Sequence, residues 1–254
     1  MLLTIDVGNT NITLGLYDGH KLVHQFRIQS DRGRTEDETH ILFSMLLQSV
    51  GVDAKQVNDT ILASVVPPLT DRVVRAVRRA FAHDPIVVGP GIKTGMPILY
   101  ENPKEVGADR IVNAIAAYER VRGGVIVVDF GTATTFDCVS NRGEYLGGVI
   151  APGISLSAEA LFSKAARLPK IEIAKPAHVL GRNTVHSMQS GLVYGYVGLV
   201  DGTVTRLQAE IGYPCAVLAT GGEARLLESE SKTIQEVDDH LTLEGLRILF
   251  ERQK

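Results

Sequence analysis

Asp6-Val7-Gly8-Asn9-Thr10-Asn11 (DVGNTN) closes a run of apolar residues at the start of the chain. Asp129-Phe130-Gly131-Thr132-Ala133-Thr134 (DFGTAT) closes a second such run. In both, an apolar segment of strand character ends in an acid, then a glycine, then small hydroxyl or amide residues. The likeness extends beyond the two phrases. After the first phrase, Ile12 to Tyr17 reads as a strand, Asp18-Gly19 as a hairpin turn and Lys21 to Ile28 as a third strand. After the second, Thr134 to Val139 reads as a strand, Asn141-Arg142-Gly143 as a turn and Glu144 to Ile150 as a third strand. Asp6 precedes its turn residue Asp18 by the same interval that separates Asp129 from Asn141. Matched spacing over three successive elements marks an internal duplication.

The rest of each half reads mainly as helices with further strands. Thr35-Glu36-Asp37-Glu38 is a capping-box pattern that opens a helix running to about Gln48. Ile61 to Val66 is a short apolar strand stopped by Pro67-Pro68, after which Thr70 is expected to cap a helix over 71–82. The arginines of that helix, Arg72, Arg75, Arg78 and Arg79, read as a solvated face, with Val73, Val74 and Val77 turned inward. Val106 to about Arg120 and Leu243 to Arg252 read as helices. Thr184 to Ile211 reads as a long helix carrying Gly191, Gly195, Gly198 and Gly202. Glycine costs about 1 kcal/mol in a helix interior, so four of them predict a close-packed neighbour. Val217 to Ala219 is a strand running into Thr220-Gly221-Gly222. The expected fold class is α/β, with two duplicated lobes, each a mixed sheet with flanking helices, over residues 1–118 and 119–254.

Composition narrows the function classes. The chain has 254 residues, 44% hydrophobic and 22% charged, with a formal net charge of −3. No segment is strongly basic, so neither nucleic acid nor a membrane surface is the expected partner. Cys138 and Cys215 form no metal-ligand spacing and read as buried thiols. The apolar run at Met1 to Ile5 is too short for a signal peptide, and the expected location is cytoplasmic.

The repeated loops have a physical use. Glycine lets the backbone turn tightly, and successive main-chain N–H groups in such a turn form a concave anion site. Asn9, Thr10, Asn11, Thr132 and Thr134 add neutral donors. Asp6 and Asp129 cannot hold phosphate directly, but they can hold a metal ion or a water that does. Two such loops, one per lobe across a cleft, are expected to clamp a polyphosphate. Thr220-Gly221-Gly222 supplies a third flat backbone surface. The loop Gly89 to Gly95 (GPGIKTG) superficially resembles a P-loop but lacks its Gly-Lys-[Ser/Thr] spacing. On the acceptor side, Gly107-Ala108-Asp109-Arg110 (GADR) opens a helix. There Asp109 can take a hydroxyl proton and Arg110 can fork onto a carboxylate or phosphate.

DVGNT at Asp6–Thr10, GADR at Gly107–Arg110, DFGTATT at Asp129–Thr135, GGVIAPG at Gly147–Gly153 and TGG at Thr220–Gly222 occur in one order over nearly the whole chain. Together they resemble the type III pantothenate kinases, a family of the acetate and sugar kinase/Hsp70/actin superfamily. The resemblance implies two actin-like (ribonuclease H-like) lobes and ATP-dependent phosphorylation of pantothenate to 4'-phosphopantothenate, the first step of coenzyme A biosynthesis. It implies Asp109 as general base. It implies ATP contacts at Asp6, Val7, Gly8, Asn9, Thr10, Asn11, Ile12, Thr13 and Thr132. Pantothenate contacts are implied at Tyr100, Gly107, Ala108, Asp109, Arg110 and Thr184. It further implies potassium or ammonium at Asp129, magnesium with ATP, and a homodimer. The competing expectations are another small-molecule kinase or phosphohydrolase of the superfamily, and a nucleotide-sensing regulatory or transcription accessory protein without turnover.

Overall fold

The computed structural model describes all 254 residues. Ten strands and seven α-helices occur in the order β1 (Leu2–Val7), β2 (Asn11–Asp18), β3 (Lys21–Gln29), α1 (Glu36–Ser49), β4 (Asp59–Ser64), α2 (Pro67–Phe81), β5 (Ile86–Val87), α3 (Ala108–Val121), β6 (Val125–Phe130), β7 (Ala133–Val139), β8 (Tyr145–Pro152), α4 (Ile154–Lys164), α5 (Thr184–Ile211), β9 (Ala216–Gly221), α6 (Ala224–Glu228), β10 (Glu236–Val237) and α7 (Leu241–Glu251). They form two five-stranded mixed sheets, ordered β3-β2-β1-β4-β5 and β8-β7-β6-β9-β10. The two orders are the same once the halves are matched in sequence, so the predicted duplication is present at the level of topology.

Register shows how closely the copies match. Asp6 lies opposite Thr13 on β2 and Ala63 on β4. Asp129 lies opposite Thr135 on β7 and Thr220 on β9. Each second strand carries an irregularity in the same relative place, between Leu16 and Tyr17 in one sheet and between Cys138 and Val139 in the other. Bulges of this kind bend and re-aim a strand. The copies differ at the tip: three residues, 8–10, separate β1 from β2, whereas only Gly131 and Thr132 separate β6 from β7.

The chain divides into two compact units. One contains residues 1–96, 100–116 and 241–254; the other contains 97–99 and 117–240. This differs from a single division at 118/119: the main boundary falls at 116/117, and two further segments cross over. The C-terminal helix α7 returns to the first unit because its buried Leu241, Leu243, Leu246 and Leu249 need an apolar sheet face to cover. It finds that face on β1, β2 and β4. Residues 97–99 join the second unit because Ile98 bridges to Tyr145.

In the first unit, Leu3, Ile5 and Val7 of β1 pack with Phe43 and Leu47 of α1 and Val73 and Val77 of α2. Helix α2 starts a turn earlier than Thr70, with prolines in its first turn. Proline has its φ preset for that position and needs no N–H partner there. Thr70 Oγ1 instead donates to Ser64 Oγ at 2.7 Å. The arginines of α2 are engaged within the unit. Arg75 pairs with Glu36, Arg79 with Asp37 and Arg78 with Asp84, while Arg72 donates to the carbonyls of Arg32 (2.6 Å) and Arg34 (3.0 Å).

In the second unit, Ile126, Val128, Phe130 and Phe136 pack under Val193, Tyr196, Val200 and Val204 of α5 and Ile154 of α4. No other element of the chain packs on the glycines of α5: a Cβ added to Gly191, Gly195 or Gly198 would meet no atom within 4 Å, and one on Gly202 would meet only the Arg206 side chain of the same helix. No helix is long and apolar enough to cross a membrane.

Candidate functional site

The first loop, residues 8–10, is built by short hydrogen bonds. Gly8 N–H donates to Asn11 O at 3.0 Å, which closes the hairpin. Ser30, just past β3, holds the loop twice: its hydroxyl donates to Gly8 O at 2.6 Å and its N–H to Thr10 O at 2.8 Å. Ser30 carries no local signal in the sequence, because the bond depends on β3 returning beside the loop. Asn9, Thr10 and Asn11 are exposed and Asp6 is half-buried. Val7 and Ile12 have fully buried side chains and pair with strands on both sides, so they shape the loop from beneath it. Thr13 is half-buried on β2 opposite Asp6.

The second unit repeats the loop and adds two further backbone segments. Gly131 N–H donates to Ala133 O at 3.1 Å, Gly153 N–H to Thr132 O at 3.1 Å and Gly222 N–H to Phe130 O at 3.1 Å. The two added segments depend on glycine. A Cβ on Gly153 would lie 2.9 Å from the Thr132 carbonyl carbon and closer to two carbonyl oxygens. Gly221, at φ +97°, sits as tightly against Phe130. Ser155 Oγ, in the first turn of α4, donates to Glu223 at 2.7 Å and ties these two segments together. Thr132 is exposed at the loop tip.

Asp129 is half-buried at the end of β6, on the same face as its cross-strand neighbours Thr135 and Thr220. One carboxylate among hydroxyl-bearing residues suits a monovalent hard cation. No group of three or more His, Cys, Asp or Glu side chains is placed to hold a metal ion.

The GADR residues sit together on the first turn of α3 in the first unit. Asp109 Oδ1 accepts the N–H of Arg110 at 2.8 Å. Gly107 lies against the same carboxylate, since a Cβ there would be 2.5 Å from Oδ1. Desolvation pushes the Asp109 carboxyl above the ordinary aspartate range, against the opposing pull of the Arg110 N–H and charge. A carboxylate raised in this way is a better proton acceptor at neutral pH. Arg110 is buried, with 7% of its surface exposed. Ala108 is half-buried.

Tyr100 is half-buried just before the short 3-10 turn Pro103–Glu105. Thr184 is exposed at the start of α5, after the cap residue Asn183, whose side chain accepts the His186 N–H at 2.8 Å. It lines an open pocket of about 720 Å³ in the second unit, walled also by Leu161, Leu168, Arg182, Met188 and Leu192. The predicted residues thus fall into two sets. Asp6–Thr13, Tyr100 and Gly107–Arg110 belong to the first unit, and Asp129, Thr132 and Thr184 to the second.

A sequence profile described as type III pantothenate kinase matches residues 2–206. The chain belongs to the type III pantothenate kinase family. The type III pantothenate kinase of Myxococcus xanthus (strain DK1622) is 59% identical over 252 residues, covering 99% of this chain and 98% of that protein. Among solved structures, a conserved protein of Campylobacter jejuni described as a Baf family transcriptional activator superposes with a TM-score of 0.62 at 19% identity, covering 99% and 98% of the two chains. MreB 5 of Spiroplasma citri bound to AMPPNP gives 0.56 at 11% identity, covering 99% and 96%. At these identities the structural likeness speaks for the fold alone, and that fold is the actin-like one, two lobes of mixed sheet with flanking helices.

Proposed function

We propose that this chain transfers the terminal phosphoryl group of ATP to the hydroxyl of pantothenate, giving 4'-phosphopantothenate for coenzyme A biosynthesis. The 59% identity to a type III pantothenate kinase, over 99% of this chain, carries the reading. The raised carboxyl of Asp109 at the start of α3 supplies the group the chemistry needs.

In the transfer, the pantothenate hydroxyl oxygen bonds to the terminal phosphorus, the bond from that phosphorus to the bridging oxygen breaks, and ADP leaves. Asp109 takes the hydroxyl proton, its carboxylate oriented by the Arg110 N–H. Within the Asp6–Thr13 segment the exposed tip, Asn9 to Asn11, and from the second unit the Thr132 loop hold phosphate oxygens through main-chain and side-chain donors, where preorganised dipoles cost no reorganisation. Tyr100, Gly107, Ala108, Arg110 and Thr184 contact pantothenate. ATP is used with a divalent metal, which we take to be magnesium; Asp6 would hold it or its water. Asp129 would hold potassium or ammonium, which would supply positive charge to offset the phosphates.

The open glycine face of α5 and the exposed Leu161 and Phe162 of α4 are covered, on this reading, by a second copy in a homodimer located in the cytoplasm. Sedimentation at micromolar concentration tests the dimer, and a monomer with full activity overturns it.

The reaction is tested by coupled ADP release with magnesium and ATP, with and without pantothenate, in potassium and then sodium buffer. Turnover that needs pantothenate and potassium is expected. ADP release indifferent to pantothenate refutes the acceptor.

A further inference from the structure

Asp137 on β7 is fully buried, with 0% of its surface exposed, and the phosphoryl-transfer reading gives it no task. A carboxylate in such a place needs hydrogen-bond donors to offset lost hydration. Tyr145, equally buried on β8, donates its phenol O–H to Asp137 Oδ1 at 2.7 Å. Thr135, two residues along β7 and directly opposite Asp129, donates to Oδ2 at 3.2 Å.

The main chain of Tyr145 makes a second set of bonds. Its N–H donates to Pro97 O at 2.8 Å, and its carbonyl accepts the Leu99 N–H at 2.8 Å. Residues 97–99 are thereby laid beside β8 as a short parallel addition. Tyr100 comes directly after them in the chain. From there the path to Asp109 is short and locally bonded. Asn102 caps the turn over 103–105, Val106 N–H donates to Pro103 O at 3.4 Å, and Gly107 O accepts the Ile111 N–H at 3.2 Å.

We infer that Asp137 and Tyr145 are positioning residues for the acceptor: Asp137 fixes the Tyr145 ring, Tyr145 fixes residues 97–99, and this anchored segment sets where Tyr100, the next residue, meets pantothenate. The inference rests on the proposed acceptor role of Tyr100. It adds that the strand paired with the Asp129 position also holds the start of the acceptor segment, through Thr135, Asp137 and Tyr145. Neither Asp137 nor Tyr145 touches substrate in this scheme, so their loss should act on pantothenate recognition and spare ATP.

The test is steady-state kinetics of Tyr145→Phe, which deletes the hydroxyl alone, with each substrate varied in turn, together with hydrogen exchange at the Leu99 amide. Loss of one buried hydrogen bond corresponds to about a tenfold rise in the KM for pantothenate, with the KM for ATP held within about twofold and kcat recovered at saturating pantothenate. The Leu99 amide should exchange faster while the amides of β6 keep their protection. An unchanged pantothenate KM, or a parallel rise in both KM values, overturns the inference. Should Tyr145→Phe fail to fold, Leu99→Pro removes the N–H donor to Tyr145 O from a residue whose side chain is exposed, and the same split between substrates is required. A wild-type protein that ignores pantothenate would sink the functional reading itself. A normal wild type with an indifferent Tyr145→Phe variant would sink only the positioning role.

Discussion

Gly245 of α7 and Val112 of α3 meet backbone to backbone. A Cβ added to Gly245 would lie 2.7 Å from Val112 Cγ1 and 2.8 Å from its carbonyl carbon, with the carbonyl oxygen closer still. Thr242 Oγ1 reinforces the crossing by donating to Asn113 Oδ1 at 2.7 Å. The helix that presents Asp109 is therefore seated by a segment far away in the chain. Gly245→Ala should force the helices apart, since backbone cannot yield as a flexible side chain does. Overpacking of this kind costs about 3 kcal/mol. Thermal unfolding checks it, and a variant as stable as wild type would refute the crossing.

Asp109→Asn separates catalysis from stability. A general base contributes about 10²–10⁴-fold to rate, so kcat should fall by that order while ATP binding persists. The raised carboxyl also has a stability consequence. The folded protein binds this proton more tightly than the unfolded chain, so the contribution is full below the unfolded pKa and is lost as pH rises through the folded value. At neutral pH the ionised, desolvated group is a cost that asparagine relieves. The variant should be less active and melt higher at pH 7, with the gain vanishing at acidic pH. Equal melting temperatures at pH 7 would contradict the desolvation.

Ser30→Ala should loosen the 8–10 loop. One hydroxyl bond to Gly8 O is lost, worth about 1 kcal/mol net, or roughly fivefold in affinity. The KM for ATP should rise by that factor with the KM for pantothenate unmoved, and Ser30→Thr should recover part of the loss. A change confined to pantothenate would mean the loop does not serve ATP.

Asp201 of α5 organises the loop over 231–233. It accepts bonds from the Ser231 hydroxyl (2.6 Å), the Thr233 hydroxyl (2.8 Å) and the N–H groups of Lys232 and Thr233. Burial pushes its carboxyl up, but these bonds together outweigh burial and hold it below the ordinary value. The stabilisation is therefore present above the unfolded pKa and is lost as pH falls through the folded one. Asp201→Asn should cost about 1–2 kcal/mol at pH 7 and flatten the acid limb of the stability curve. Stability unchanged at pH 7 would remove the loop-organising role.

Asp129→Ala should abolish the difference between potassium and sodium buffers in kcat/KM. An unaltered salt response would release Asp129 from the cation role.

The duplication is legible in the sequence because each copy writes its hairpins in local terms: an apolar run, an acid, a glycine turn. The positions of β5 and β10, two residues each, are not, since so short a strand carries no periodicity. Helix α4 is equally hard to read, because Leu156, Leu161 and Phe162 are exposed and blur its polar face. The motif residues of the site are readable one by one. Ser30 and Tyr145 are not, because each acts through a main-chain contact that the fold creates. Thr70 misleads for the opposite reason: it has the chemistry of a helix cap, but the prolines before it already start the helix.

Helix α7 completes the first unit from the far end of the chain. During synthesis, the contiguous stretch 117–240 of the second unit leaves the ribosome before the helix that the first sheet needs. The usual vectorial order, in which the earlier-made part folds first, therefore does not suffice for the first unit. Until residues 241–251 emerge, one face of β1 and β4 lacks its cover, and the helix bearing Asp109 lacks its seat. The first sheet therefore depends on a segment made well after it.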